Sequence, residues 1–206
     1  PPWSLWDGKD YKNMSDQDEA KFRMIEYHKW KFKAKIFSPL APLTVKRTPV
    51  LMTRVEYGFL GSYNKYKKSP FETFYMGGDG MSGYSSTYAT ETIGLRGYEN
   101  GSIAGNGGYN SYGYAYSRLS MELRYPFLLE PSSTIYGLVF VEAGNAWRDL
   151  KDFNPFQLKR SAGVGVRIFL PMIGLMGIDW AYGFDRPDGY DQRGGSNFHF
   201  IIGQEF

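Results

Sequence analysis

Apolar and polar residues alternate with period 2 along seven stretches of the chain, the pattern of strands with one apolar face. In residues 30–40, Trp30, Phe32, Ala34 and Ile36 share one face and Lys31, Lys33 and Lys35 the other. In residues 51–61, Leu51, Val55, Tyr57 and Phe59 stand opposite Arg54 and Glu56. The cleanest alternation is 118–125, with Leu119, Met121, Leu123 and Tyr125 against Arg118, Ser120, Glu122 and Arg124. Residues 135–144 place Val139, Val141 and Ala143 opposite Phe140, Glu142 and Gly144. Residues 161–169 place Ala162, Val164, Val166 and Ile168 opposite Ser161, Gly163, Gly165 and Arg167. Residues 174–184 set Met176, Ile178, Trp180 and Tyr182 against Gly177, Asp179 and Ala181. The last stretch, 198–206, sets Phe198, Phe200, Ile202 and Phe206 against His199, Gly203 and Glu205, with Gln204 breaking the apolar face.

Each stretch runs about 9–11 residues, enough for a tilted strand to cross a bilayer. Periodicity alone also fits a soluble antiparallel β protein, whose outer faces meet water. The connectors favour the membrane. Short links (39–49, 126–134, 170–173) alternate with longer ones (62–117, 145–160, 185–197), as the short periplasmic turns and long outer loops of a transmembrane β-barrel do. Composition agrees: 25 Gly, 17 Tyr and 15 Phe, with aromatics at 18% of 206 residues. No run reaches the roughly 18 apolar residues of a membrane-spanning helix. The net charge of +3 is spread without a basic stripe, which argues against nucleic-acid binding, and there is no cysteine for a disulfide framework or thiolate metal site.

The 62–117 loop is expected outside the cell, which puts the C-terminus in the periplasm and segment 1–29 outside as well. A short helix is expected over 15–27, with Ser15 as N-cap and Asp16, Asp18 and Glu19 in its first turn. Seven strands are an odd number, and an open sheet in lipid would leave two unpaired edges, so the rest of the barrel is expected N-terminal to Pro1. The whole chain, 1–206, then reads as the C-terminal part of one antiparallel transmembrane β-barrel domain.

The long loop carries Phe74-Tyr75-Met76-Gly77-Gly78 and then Leu95-Arg96-Gly97-Tyr98, and the chain ends Phe198-His199-Phe200-Ile201-Ile202-Gly203-Gln204-Glu205-Phe206. In this order the motifs resemble the BamA superfamily of outer-membrane barrel assembly factors. That family has a Phe-Tyr-x-Gly-Gly stretch, then an aliphatic-Arg-Gly-aromatic motif at the tip of its sixth extracellular loop. It also ends on an aromatic-x-aromatic-x-x-Gly-x-x-aromatic strand. The resemblance runs from about Trp30 to Phe206 and implies the last seven strands of a sixteen-stranded barrel. The stretch between Gly78 and Leu95 is longer than in the simplest members.

A loop arginine folded back into a barrel lumen can pair with lumen carboxylates through charge-assisted, bidentate hydrogen bonds. Glu122 and Glu142 lie on the polar faces of the next two strands, and the resemblance places the partners of the motif arginine there. Arg96 is therefore expected to pin the loop through Glu122 and Glu142, with Gly97 permitting close backbone approach and Tyr98 packed inside. The resemblance also implies a seam between the first and last strands that opens sideways, where a client strand adds to the exposed edge. Gly203 would weaken the closing strand or simply bend it. The terminal aromatics would serve as a sorting signal or an interfacial girdle.

His28 and His199 lie on separate segments, so a zinc site is not expected. Asp185, Asp188 and Asp191 lack the terminal Glu of a calcium loop. Gly105-Asn106-Gly107-Gly108 follows no βα pattern for phosphate binding, and no Gly-x-Ser-x-Gly elbow is present. The expectation is a nonenzymatic insertase without cofactor. Its partners would be unfolded outer-membrane proteins, membrane lipid, periplasmic chaperones and accessory lipoproteins. A transporter for one dedicated client, a family member fused to a lipase domain, a passive porin-like barrel and a soluble β module are the alternatives.

Overall fold

The computed structural model describes residues 2–15, 19–42, 44–45, 47–80, 91–103, 112–130, 132–172 and 174–203. Among these, the strands are β1 (His28–Pro39), β2 (Val50–Gly61), β3 (Phe74–Met76), β4 (Glu91–Ile93), β5 (Ala115–Glu130), β6 (Ser133–Trp147), β7 (Lys159–Leu170), β8 (Gly174–Gly183) and β9 (Gly195–Ile202). Seven of them form one sheet in the order β1-β2-β5-β6-β7-β8-β9, every neighbouring pair antiparallel. The alternating stretches are thus the strands, joined as an up-and-down meander. The 62–117 connector is more than a loop. It contains β3 and β4, a short parallel pair with Phe74 opposite Glu91 and Met76 opposite Ile93.

Several boundaries differ from the sequence expectation. β5 and β6 run 16 and 15 residues, longer than one bilayer crossing, and leave only residues 131–132 between them. Pro126 does not end β5, because the pairing with β6 shifts register between Pro126 and Leu128, and a bulge tolerates a residue without an N–H. β9 begins at Gly195, three residues earlier than expected. Among the described residues, the helix expected over 15–27 is a single turn, Glu19–Phe22, and so short a segment lacks the length to offset helix nucleation. Asp16, Asp18, the 105–108 glycine run and Phe206 lie outside the described residues.

The two faces of the sheet invert the arrangement of a water-soluble protein. The face covered by the β3–β4 loop buries Arg54, Glu56, Arg118, Glu122, Glu142, Arg167, Asp179 and His199. The opposite face leaves Phe32, Val139, Val141, Val164, Ile178, Phe198 and Phe200 exposed. Apolar exposure this continuous exceeds what a soluble monomer carries and fits a surface solvated by lipid. Beneath the loop, Leu60, Phe74, Met76, Ile93, Leu95, Tyr98, Ile103, Tyr116 and Ala146 form the main apolar cluster. The loop, with its two-stranded β3–β4 pair, completes the core.

An arginine on the open face should therefore be far worse than one in water. Val164→Arg in the full-length protein is expected to cost about 2–4 kcal/mol near mid-membrane. Urea unfolding in lipid vesicles measures this, and a cost near zero would remove lipid from that face.

Candidate functional site

The tip of the loop reaches the centre of the covered face because its two ends are fixed first. Gly78 and Leu95 exchange backbone hydrogen bonds at 3.1 Å in both directions, which brings the two halves of the motif region side by side. Gly77 (φ 127°) and Gly78 (φ 73°) adopt left-handed backbone, and a Cβ on Gly77 would lie 2.3 Å from the Glu99 carbonyl. The Ile103 N–H then donates to the Met76 carbonyl at 3.1 Å, closing the turn behind the motif.

Arg96 is fully buried. Its Nη2 donates to Glu122 Oε1 at 2.5 Å and to Glu142 Oε1 at 2.8 Å, and its Nη1 donates to Asp179 Oδ2 at 2.9 Å. Its backbone N–H donates to Glu142 Oε2 at 2.9 Å, so Glu142 holds the residue at both ends. The guanidinium carbon sits 3.5 Å from the Phe140 ring centroid, a cation–π contact on a desolvated face. Burial opposes the charge on Arg96, but Glu142 and Glu122 more than offset it, and the guanidinium is held more firmly protonated than a free arginine.

Each carboxylate has a further cation. Glu142 Oε1 accepts from Arg118 Nη2 at 2.7 Å and from Ser120 Oγ at 3.0 Å. Glu122 Oε2 accepts from Arg124 Nη2 at 2.7 Å and Nε at 2.9 Å. Arg167 grips Asp179 bidentately at 2.5 and 2.7 Å. Glu56, 4.0 Å from Arg118, pairs with Arg54 and Lys33, each at 2.9 Å. At the edge of this network, Lys29 and Lys31 of β1 reach Glu91 on β4, each at 2.8 Å. Burial would raise the Glu91 carboxyl, but these two lysines hold it below its usual range.

Gly97 (φ 88°) lies against β7 and β8, where a Cβ would come within 2.9 Å of the Gly183 nitrogen and of the Ser161 Cβ. Two side chains of β9 address its peptide groups. His199 Nε2 accepts the Gly97 N–H at 2.9 Å, and Asn197 Nδ2 donates to the Gly97 carbonyl at 3.0 Å. The Tyr98 ring is buried in space left by Gly183 and Gly194, and its hydroxyl donates to the Arg160 carbonyl at 2.6 Å. Burial pushes the Tyr98 phenol up to about 12.

The structure thus brings Leu95, Arg96, Gly97, Tyr98, Gly77, Gly78, Glu122 and Glu142 into one buried site. Phe198, Phe200 and Ile202 are elsewhere, exposed on the open face. Gly203 takes φ 73° beside β9 and donates its N–H to the Leu175 carbonyl at 2.7 Å, and a Cβ there would meet nothing within 4 Å. Sequence reasoning missed Asp179, Phe140, Arg167, Asn197 and the contact of His199. Strand parity put Asp179 and His199 on the polar face, but only the register that places Asp179 opposite His199 shows that they meet the loop. Asp185 and Asp188 are engaged as ion pairs with Arg160 and Lys159.

Reversing the central charge leaves Glu122, Glu142 and Asp179 facing a fourth carboxylate in a dry site. Arg96→Glu is expected to cost at least the roughly 3–5 kcal/mol of a broken buried pair. Gly97→Ala, strained in φ and against backbone, is expected to cost more than about 1 kcal/mol. Urea unfolding of the full-length protein in vesicles checks both, and an Arg96→Glu protein of wild-type stability and activity would remove the pinning role.

The Omp85 superfamily domain model matches residues 21–206. The search of curated proteins finds no match. Among solved structures, the crystal structure of BamA from Haemophilus ducreyi lacking POTRA domains 1–3 superposes with a TM-score of 0.58 at 21% identity. That match covers 85% of this chain and 35% of the other, so the chain spans about a third of the solved protein's length. The superposition establishes the fold: a seven-stranded antiparallel sheet of the kind that forms part of that barrel. With the family model spanning nearly all of its residues, the chain belongs to the Omp85 superfamily of outer-membrane β-barrel proteins.

Proposed function

We propose that this chain is the C-terminal part of an assembly factor that folds and inserts β-barrel proteins into the outer membrane. The observation that carries this reading is the buried loop tip. Arg96 is held by carboxylates from β5, β6 and β8, an arrangement a passive channel would not need across its interior. In this reading the covered face is the barrel lumen and the open face meets lipid. The β3–β4 loop enters from outside the cell, and β9 ends in the periplasm. The strands that complete the barrel precede β1, and β9 closes it against the first of them.

A seam of that kind offers unpaired N–H and C=O groups to an incoming strand, which adds by β-augmentation. The driving force comes from client strands exchanging water for a hydrogen-bonded edge and lipid, so the mechanism uses no cofactor and no covalent chemistry. The partners are unfolded outer-membrane proteins, membrane lipid and accessory lipoproteins of an assembly complex. Phe198, Phe200 and Ile202 face lipid in this arrangement, and Gly203 bends the chain beyond the closing strand.

Depletion of the full-length protein in its host, followed by mass spectrometry of the outer membrane, tests the proposal. A general assembly factor predicts a broad loss of unrelated barrels. Loss of one secreted client with other barrels intact would replace this reading with a dedicated transporter on the same fold.

A further inference from the structure

The closing strand does not contact the loop tip by packing alone. His199 and Asn197, two residues apart and therefore on the same face of β9, address the N–H and the C=O that flank the Cα of Gly97. The absence of a side chain on Gly97 lets its backbone sit directly against Gly183 and Ser161 of the wall, the position in which β9 reaches both groups. Asn197 Nδ2 also donates to the Gly194 carbonyl at 2.8 Å, so its amide is anchored at the start of its own strand. His199 is buried, and its Nε2 is the acceptor of a peptide N–H, which requires that nitrogen to carry no proton.

We infer that His199 and Asn197 are positioning residues that latch the closing strand to the loop tip, and that the His199 half of the latch holds only while its imidazole is neutral. A second proton on the ring turns Nε2 into a donor. The Gly97 N–H then faces another N–H, and a new positive charge appears in a site already organised around Arg96. The groups facing His199 are Asp179, its register partner on β8, Arg96 and Asp79 on the loop, and Glu142 on β6, with Arg167 behind Asp179. Lowering the pH through the titration of His199 opens the imidazole half of the latch and leaves Asn197 to hold the Gly97 carbonyl alone, and raising it restores the full grip. Under the assembly reading proposed above, on which this functional consequence rests, the latch sets how readily the closing strand leaves its place.

Backbone amide exchange at Gly97, measured by mass spectrometry on the full-length protein in lipid vesicles and corrected for the intrinsic rate, tests the latch. Wild type is expected to lose about fivefold protection between pH 8 and pH 5, the worth of one hydrogen bond. His199→Gln, which offers an acceptor at every pH, is expected to flatten that profile with protection retained. His199→Lys, a permanent donor, is expected to lose protection at both pH values. Wild-type protection unchanged across the range, or a His199→Gln profile that follows the wild type, overturns the inference, and the wild-type arm decides it even where a variant misfolds. Insertion of a client barrel by the same vesicles is followed in parallel. Vesicles that insert no client at either pH count against the assembly reading, while the exchange profile still decides the latch.

Discussion

Everything on the covered face depends on keeping one guanidinium charged without water. Arg96 has no exposed surface, so its charge is tolerable only because Glu122, Glu142 and Asp179 surround it and Phe140 lies beneath it. Those carboxylates are equally dependent on their cations. Arg118, Arg124 and Arg167 neutralise them from β5 and β7, Glu56 and Arg54 extend the network to β2, and Lys33 carries it to β1. With His199 and Asn197 on β9, every strand of the sheet contributes a polar group to one connected site. The network makes the loop tip the hub of the sheet.

The same constraint explains the unusual partition of residue types. A face that meets lipid must be apolar, so polar groups can be concentrated only on the other side, where they need partners supplied by the chain itself. The strands supply most of them to one another, and the loop adds Arg96 at the centre together with an apolar cluster of Phe74, Met76, Ile93, Leu95 and Tyr98 that fills what would otherwise be open volume. Small residues set the depth of its entry. Gly183 and Gly194 leave the space that the Gly97 carbonyl and the Tyr98 ring occupy. Larger side chains on these wall positions would push the arginine away from its carboxylates before any charge was altered.

Much of this was legible in the sequence, and the reason differs for each part. The alternating faces of all seven strands were visible because lipid imposes a strict period of two. Arg96, Glu122 and Glu142 were visible because a family-like motif and the polar faces of the adjacent strands pointed at one another. Asp179 and His199 were hidden, since parity fixes the face of a residue but not its height on the wall, and height comes from register. The lengths of β5 and β6 were misjudged because 126–134 reads as a short link, while the fold pairs most of it and absorbs Pro126 in a bulge. The short helix was overestimated because capping residues indicate where a helix can start, not whether tertiary contacts let it continue.

The central claim is that Arg96 and its carboxylates act as one unit rather than as separate contacts. A double-mutant cycle on Arg96→Met and Glu142→Met, read by urea unfolding of the full-length protein in vesicles, measures this most directly. The account predicts that each single change strands buried charge and costs about 3–5 kcal/mol. The double change should cost less than the sum by well over 1 kcal/mol, because neither partner is then left alone. Additivity within about 0.5 kcal/mol would contradict the account and reduce the network to independent surface-like pairs.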